Sequence, residues 1–343
     1  MPESPHAQGQ TADAPPSPEH FIQTLMSFQK TAALKAAVEI GVFGAIAAGN
    51  SSAGDIARAT QTDARGAAIL ADYLVVLGFL TKSDDSYRLT PSSALFLDPA
   101  SPANFGGVVE FLASPEIMDL VLSDPAAYVR NGGSVGLANV APDNPVWVKF
   151  AEAMLPLSIP AAEEVAARVA ALPDPPRKVL DISAGHGFFG IKVATALPEA
   201  RVAGLDWKIV LDVAVRNAAR AGVGDRYTAI PGSAFDADWG SGYDLVMIPG
   251  FLHHFDESGG ARLLDRARAS LSPGGRVLAT EFVVDEDRLS PPWPAAFSFL
   301  MLATTQTGHA YSTEQLCSMA RKAGFSAARV EPITPPHSLV WFE

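Results

Sequence analysis

Asp181, Gly185, Gly187 and Gly190 are the first residues whose types and spacing suggest chemistry. They fall in Lys178-Val179-Leu180-Asp181-Ile182-Ser183-Ala184-Gly185-His186-Gly187-Phe188-Phe189-Gly190, where a short apolar run ends in an acid and a small-residue loop follows. Ile191 to Leu197 then continues at helical spacing, so the stretch reads as strand, tight loop and helix. Glycine lets the backbone turn sharply and lets a ligand approach it closely. A loop of this kind lies at the carboxyl end of a strand, where open α/β sheets bind ligands. Asp206 ends the next strand-like run, Arg201 to Leu205, about 20 residues past the glycines, where a carboxylate can accept hydrogen bonds from both hydroxyls of a ribose. The glycines alone spell the G-x-G-x-x-G of a dinucleotide loop, which is a weak signal. Asp181 stands where a dinucleotide strand stays apolar, and the bland alternative is a glycine-rich turn with no ligand.

The elements that must position these residues come from a chain of 343 residues, long enough for two domains and a large core. Its net charge of -12 argues against nucleic acid and anionic membranes as partners. The single cysteine, Cys317, has no internal disulfide partner, which fits a reduced, cytoplasmic chain. No apolar run reaches the ~20 residues needed to span a bilayer. Residues 1–18 are rich in Pro, Ser, Ala and Gln and read as a disordered tail.

Beyond that tail, Phe21, Leu25 and Phe28, then Leu34, Val38 and Val42, recur at helical spacing. A short helix after Ser52 and a longer one capped at Thr62-Asp63 lead into a hairpin turning at Ser83-Asp84-Asp85, a winged-helix pattern. Between Glu19 and Asp98 eight acids face six basic residues, where a DNA reader shows a basic stripe, so a protein-interaction role is favoured. Residues 101–172 read as mostly helical, with a Gly/Asn/Pro break from Asn131 to Pro145; their apolar stripes suit a core, with Phe150 and Met154 as candidates to face a ligand. From Pro173 onward strands and helices alternate. Tyr243 to Ile248 runs into Pro249-Gly250-Phe251-Leu252-His253-His254, and Ser272-Pro273-Gly274-Gly275 precedes a strand that reaches Glu281. Ala327 to Pro332 and Ser338 to Phe342 are predicted to form an antiparallel hairpin that closes the sheet.

The acid-x-small-x-Gly-x-Gly loop, Asp206, Gly232-Ser233, Leu252-His253, Leu271-Ser272-Pro273-Gly274-Gly275, Glu281 and Ala323-Gly324-Phe325 occur in an order that resembles class I S-adenosylmethionine-dependent methyltransferases. The likeness runs from about Phe21 to Glu343, and is to the small-molecule O-methyltransferases of the plant caffeate and flavonoid type and of bacterial tailoring pathways. It implies an α/β fold: a doubly wound, Rossmann-like methyltransferase sheet with a C-terminal antiparallel hairpin, plus an N-terminal, mostly helical, winged-helix-like dimerisation domain. The expected divisions are a tail at 1–18, dimerisation domain at 19–100, helical linker at 101–172 and cofactor-binding catalytic domain at 173–343. S-adenosylmethionine is the implied cofactor, S-adenosylhomocysteine its product, with no metal, and the implied partners are a second copy of the chain and an apolar or aromatic small molecule.

Carried across position by position, Asp181, Ser183, Gly185 and Gly187 would hold the methionine part of the cofactor. Asp206 would take the ribose, with Trp207, Ser233, Ala234, Phe235 and Pro249 around the adenine side. Ser183 replaces a usual glycine, Ser233 a usual acid, and Trp207-Lys208 a usual Leu-Pro. His253 matches the family histidine that deprotonates the acceptor hydroxyl, and an imidazole titrates close to neutral pH. His254 is the alternative base and otherwise an acceptor contact. Glu281 matches the first of two acids that orient the histidine, whereas Ala310 stands where the second would be. Phe150, Met154, Phe297, Met301 and Tyr311 complete the implied acceptor pocket. The missing acid keeps a thiol acceptor open beside the hydroxyl, then nitrogen or carbon, because a thiol needs less help from a base. A nicotinamide oxidoreductase and a non-catalytic cofactor-binding protein are the readings from other classes.

Overall fold

The computed structural model describes residues 16–134 and 144–343. Most of the expected tail, and the middle of the break between Asn131 and Pro145, lie outside the described residues. The chain forms two compact units, Met1–Gly106 and Gly107–Glu343.

In the first unit helices Glu19–Leu25, Phe28–Glu39, Val42–Ala47, Ala53–Thr60 and Ala64–Val76 precede a hairpin of β1 (Leu80–Ser83) and β2 (Ser86–Leu89), then helix Pro91–Phe96. The caps follow from local chemistry. Ser52 and Asp55 form a reciprocal capping box, and the Asp63 carboxylate accepts the backbone amides of Arg65 and Gly66. Phe43, Ile56, Leu74, Leu80 and Tyr87 fill the core. The stripe of Phe21, Leu25 and Phe28 stays exposed.

Among the described residues of the second unit three short helices precede Val146–Ala170, 25 residues long with Pro156 and Pro160 inside it. The strands that follow are β3 (Lys178–Ile182), β4 (Arg201–Asp206), β5 (Tyr227–Pro231), β6 (Tyr243–Pro249), β7 (Leu271–Glu281), β8 (Val283–Val284), β9 (Tyr311–Ser312), β10 (Ala328–Pro332) and β11 (Ser338–Phe342). Seven of them make one sheet in the order β10-β11-β7-β6-β3-β4-β5. The five strands from β7 to β5 run parallel, β11 runs antiparallel to β7, and β10 runs antiparallel to β11. This is the expected α/β sheet, closed by the expected hairpin.

Period-two alternation gives the sheet two buried faces. Val179, Leu245, Leu278 and Trp341 pack toward helices Val146–Ala170 and Phe188–Ala196. Leu180, Val246, Val277 and Val340 pack toward helices Glu257–Ala269 and Thr313–Lys322. Ser272 to Gly275, read from sequence as a turn before the strand, lies within β7; the pairing of Tyr243 with Leu271 extends the strand across it, and a register irregularity absorbs the extra residues. Among the described residues no helix is long and apolar enough to cross a membrane.

Candidate active site

Because β3, β4, β6 and β7 are parallel, their carboxyl ends bring distant residues to one edge of the sheet. Ser183 and Gly185 hold left-handed backbone, at φ 55° and 56°, and Gly187 does so at 79°. A Cβ on Gly185 would meet only the Ser183 carbonyl oxygen, at 3.9 Å, so this side of the loop has room for a ligand. Gly187 is the opposite case: a Cβ there would come within 2.9 Å of Ala214 Cβ and 3.1 Å of the Tyr227 hydroxyl. Ser183 keeps the turn at a position where a side chain is costly.

Asp206 closes the loop from β4. Its Oδ2 accepts the Gly185 amide at 2.8 Å and its Oδ1 the Trp207 amide at 2.7 Å. A carboxylate has about four acceptor positions, so two remain for the hydroxyls of a ribose. Burial, opposed by those two amides, pushes Asp206 up to about 6. Gly232 donates its amide to the Asp206 carbonyl, which seats the loop after β5 beside this acid. In that loop Ser233 Oγ accepts the Phe235 amide, Phe235 packs edge-on against Phe255, and Ala234 points into the core. Trp207 packs with Trp147 and Val210 under the start of helix Val146–Ala170. Pro249 is buried at the end of β6, paired with Thr280. The glycine cradle, the carboxylate with spare acceptor capacity and the flanking aromatic rings fit a nucleoside-containing ligand.

The second cluster grows from β6 and β7. His253 lies in a 3₁₀ turn, Leu252–His254, and Glu281 is the last residue of β7. Glu281 Oε2 is 2.7 Å from His253 Nδ1, while Oε1 accepts the Leu252 amide at 2.8 Å. Both side chains are nearly inaccessible. The carboxylate therefore fixes the imidazole and the turn that carries it. Phe297 meets the His253 ring edge-on at 4.9 Å, and Phe282 stacks on it at 5.8 Å. Met301 is buried on the same helix as Phe297, Pro292–Thr304. His254 lies 4.7 Å from His253, ring to ring, and burial, helped by His253, pushes it down to about 3.

The remaining acceptor candidates are placed as follows. The Tyr311 hydroxyl is within hydrogen-bonding reach of the Leu252 and Phe255 carbonyls, so it braces the turn from below. Phe150 packs edge-on against Phe111 and Trp147. Met154 is partly buried on the same helix, and no ring contact among the described residues joins Phe150 to the rings around His253. Ala310 is wholly buried and brings no carboxylate; its amide bonds Ser298 Oγ. Among the described residues no group of three or more His, Cys, Asp or Glu could hold a metal ion.

Three residues at this edge escaped the sequence reading. Phe282 is a hub that touches His253, Trp293, Phe297 and His337. His337 arrives from the hairpin because Ser338 pairs with Glu281. Tyr227 sits at the start of β5, and its hydroxyl reaches the glycine loop. Only Phe282, adjacent to Glu281, had a local signal.

Comparison with known proteins agrees with this fold. Residues 22–99 match the O-methyltransferase dimerisation domain, and residues 119–326 match the O-methyltransferase domain. The chain is 30% identical, over 90% of its length and 89% of the other protein, to 3-hydroxy-5-methyl-1-naphthoate 3-O-methyltransferase of Streptomyces sahachiroi. Among solved structures, a candidate O-methyltransferase from Nostoc punctiforme superimposes with a TM-score of 0.90 at 43% identity, over 96% of this chain and 99% of that one. Human N-acetylserotonin methyltransferase in complex with S-adenosylmethionine shares the fold, with a TM-score of 0.82 at 19% identity over 97% and 99% of the two chains.

Proposed function

This chain belongs to the O-methyltransferase family and is an S-adenosylmethionine-dependent methyltransferase, and from that premise we propose that it methylates a hydroxyl of a small aromatic molecule with His253 as the base. The observation that carries the proposal is the 2.7 Å contact of Glu281 Oε2 with His253 Nδ1. A buried carboxylate at Nδ1 keeps the proton on that nitrogen and leaves Nε2 with its lone pair. Nε2 can then take the proton of an acceptor hydroxyl as that oxygen attacks. Proton removal matters because a neutral hydroxyl is a weak nucleophile, and aligning it for in-line attack supplies much of the remaining acceleration.

S-adenosylmethionine supplies an electrophilic methyl group on a sulfonium when bound. Ser183, Gly185 and Gly187 would lie under its methionine part, Asp206 would accept from its ribose, and Trp207, Ser233, Ala234, Phe235 and Pro249 would flank its base. Phe297, Met301 and His254 would line the acceptor side, joined by Phe150 and Met154 from the helical segment 101–172. The naphthoate named for the Streptomyces relative makes a one- or two-ring hydroxyarene the first acceptor to try. The chain is proposed to work as a homodimer through residues 19–100.

One observation favours a second reading: Ala310 brings no carboxylate, and among the described residues Glu281 is the one acid bonded to the His253 ring. A thiol acceptor would tolerate that better. The deciding experiment offers 3-hydroxy-2-naphthoate, a matched naphthalenethiol and a matched naphthylamine with methyl-labelled cofactor. O-methylation lost in His253→Ala supports the first reading. Methylation of the thiol alone, insensitive to His253→Ala, would replace it with the second.

A further inference from the structure

Arg266 reaches from helix Glu257–Ala269 into the loop that follows β5, and what it meets there is backbone. Its Nη1 donates to the Phe235 carbonyl, and its Nη2 to the Ala237 carbonyl at 2.7 Å. The guanidinium lies over the Trp239 ring, 4.5 Å from the centroid. Trp239 is buried, and its own carbonyl accepts the Tyr243 hydroxyl. Among the described residues Arg266 has no ion-pair partner. A guanidinium is a rigid planar fork, so two carbonyls bridged by it are fixed relative to each other, and stacking on the indole fixes the fork.

The loop needs such a hold, because residues 232–242 form neither helix nor strand. The Asp236 and Ala237 amides both bond the Ser233 carbonyl, which folds the loop back on its start. A Cβ on Gly232 would stand 3.0 Å from Ala237 Cβ, so these two residues touch. The Gly232 amide in turn bonds the Asp206 carbonyl. A continuous set of contacts therefore joins Arg266 to Ala237, Gly232 and the carboxylate residue at the end of β4. Arg262, one turn earlier on the same helix, places its guanidinium 5.7 Å from the Phe235 ring centroid, and Phe255 meets that ring edge-on.

We propose that Arg266 is a positioning residue for the adenine side of the cofactor site, holding the loop that starts beside Asp206 in the shape that receives the base. The inference rests on the S-adenosylmethionine reading above, which puts Ser233, Ala234 and Phe235 next to that base. Without the fork the loop keeps its tie to Asp206 and loses the one that fixes its far half. A site in its binding shape a tenth of the time binds about tenfold more weakly. Arg266→Met is therefore expected to raise the KM for S-adenosylmethionine about tenfold, with kcat at saturating cofactor and the KM for the acceptor unchanged. Lysine keeps the charge on a flexible stem but lacks the fork, so Arg266→Lys should fall between wild type and Arg266→Met.

Steady-state kinetics and calorimetry with two ligands test this. S-adenosylhomocysteine should bind Arg266→Met about tenfold more weakly than wild type. S-ribosylhomocysteine, which has the ribose and the amino acid but no base, should bind both proteins alike. Equal loss for the two ligands overturns the assignment to the base, and unchanged affinity for S-adenosylhomocysteine overturns the proposal outright. Arg268→Met is the matched control. Arg268 lies two residues further along the helix, hence on its opposite side, and donates to the Ala323 carbonyl at 2.7 Å. Its loss should lower the melting temperature and leave the cofactor KM alone. A KM raised as much by Arg268→Met as by Arg266→Met would make Arg266 a general stabiliser and overturn the proposal. If Arg266→Met does not fold, Arg266→Lys decides, and a cofactor KM equal to wild type in that variant overturns the proposal. A wild-type protein that binds neither S-adenosylmethionine nor S-adenosylhomocysteine would instead sink the cofactor reading itself, and the proposal with it.

Discussion

At the scale of single residues, Glu281 holds both the imidazole of His253 and the Leu252 amide, so its two oxygens set ring orientation and turn geometry together. Removing the ring in His253→Ala should lower kcat by ~10²–10⁴-fold with a hydroxyl acceptor, and leave cofactor affinity unchanged. Glu281→Gln should be nearly as damaging. The new amide would donate to Nδ1, move the ring proton to Nε2 and leave no lone pair facing the acceptor. Steady-state rates of the two variants on one acceptor check this, and a Glu281→Gln enzyme within threefold of wild type would show that the acid is dispensable for the tautomer. On the proposed reading Asp206 acts on binding rather than chemistry. Its oxygens already accept two amides, and adding ribose hydroxyls gives charge-assisted bonds of roughly 1.5–3 kcal/mol. Asp206→Ala should therefore weaken cofactor binding by about 10- to 100-fold. Calorimetric affinity within twofold of wild type would remove the acid from the ribose site.

At the scale of elements, the structure explains which parts of the site a sequence can reveal. Strand ends are marked locally, by an apolar run that stops at an acid or a glycine, and so Asp181 and Asp206 could be named before any coordinates, whereas His253 and Glu281 were named by the family resemblance. Neighbours within the sheet are not marked locally. Nothing near Gly204 in the chain indicates that Tyr227 covers it, because that depends on β5 lying beside β4. Nothing near Phe282 indicates His337, because that depends on β11 inserting next to β7 in reverse. Tyr311 was legible as a polar residue close to the site. That its hydroxyl turns to the Leu252 and Phe255 carbonyls follows only from β9 pairing with β8. The same packing makes a prediction at Gly204. A methyl group there would sit 2.2 Å from the Tyr227 hydroxyl and 2.8 Å from its Cζ, so Gly204→Ala must displace a buried ring. Overpacking of this kind costs about 1–3 kcal/mol. The variant should melt lower than wild type and bind cofactor less tightly, since the same ring backs Gly187. Trimming Tyr227 to leucine in the Gly204→Ala background should recover part of the melting loss. A Gly204→Ala protein that melts with wild type would show that the ring has somewhere else to go.

At the scale of the whole molecule, an apolar surface at the start of the first unit needs explaining. Phe21, Leu25 and Phe28 are 66%, 59% and 57% exposed, and Ile22 and Met26 beside them are exposed as well. Phe21 and Leu25 are four residues apart on one helix, so their side chains share a face. Fully burying a side chain of this size is worth about 1.5–3 kcal/mol, and a cluster of five left in water would promote non-specific association. The acidic balance of this region argues against nucleic acid as the cover, and the match of residues 22–99 to a dimerisation domain points to a second copy. Burying the same patch on both copies counts each side chain twice, which is how a short helix can hold a symmetric dimer. Light scattering should therefore give about twice the chain mass of 36.0 kDa at micromolar concentration. The double variant Phe21→Glu, Phe28→Glu places four carboxylates in that contact and should run at the single-chain mass, with its helical circular dichroism retained because neither position is in the core. A wild-type monomer would overturn the dimer, and a double variant that still runs as a dimer would move the interface to another face of the molecule.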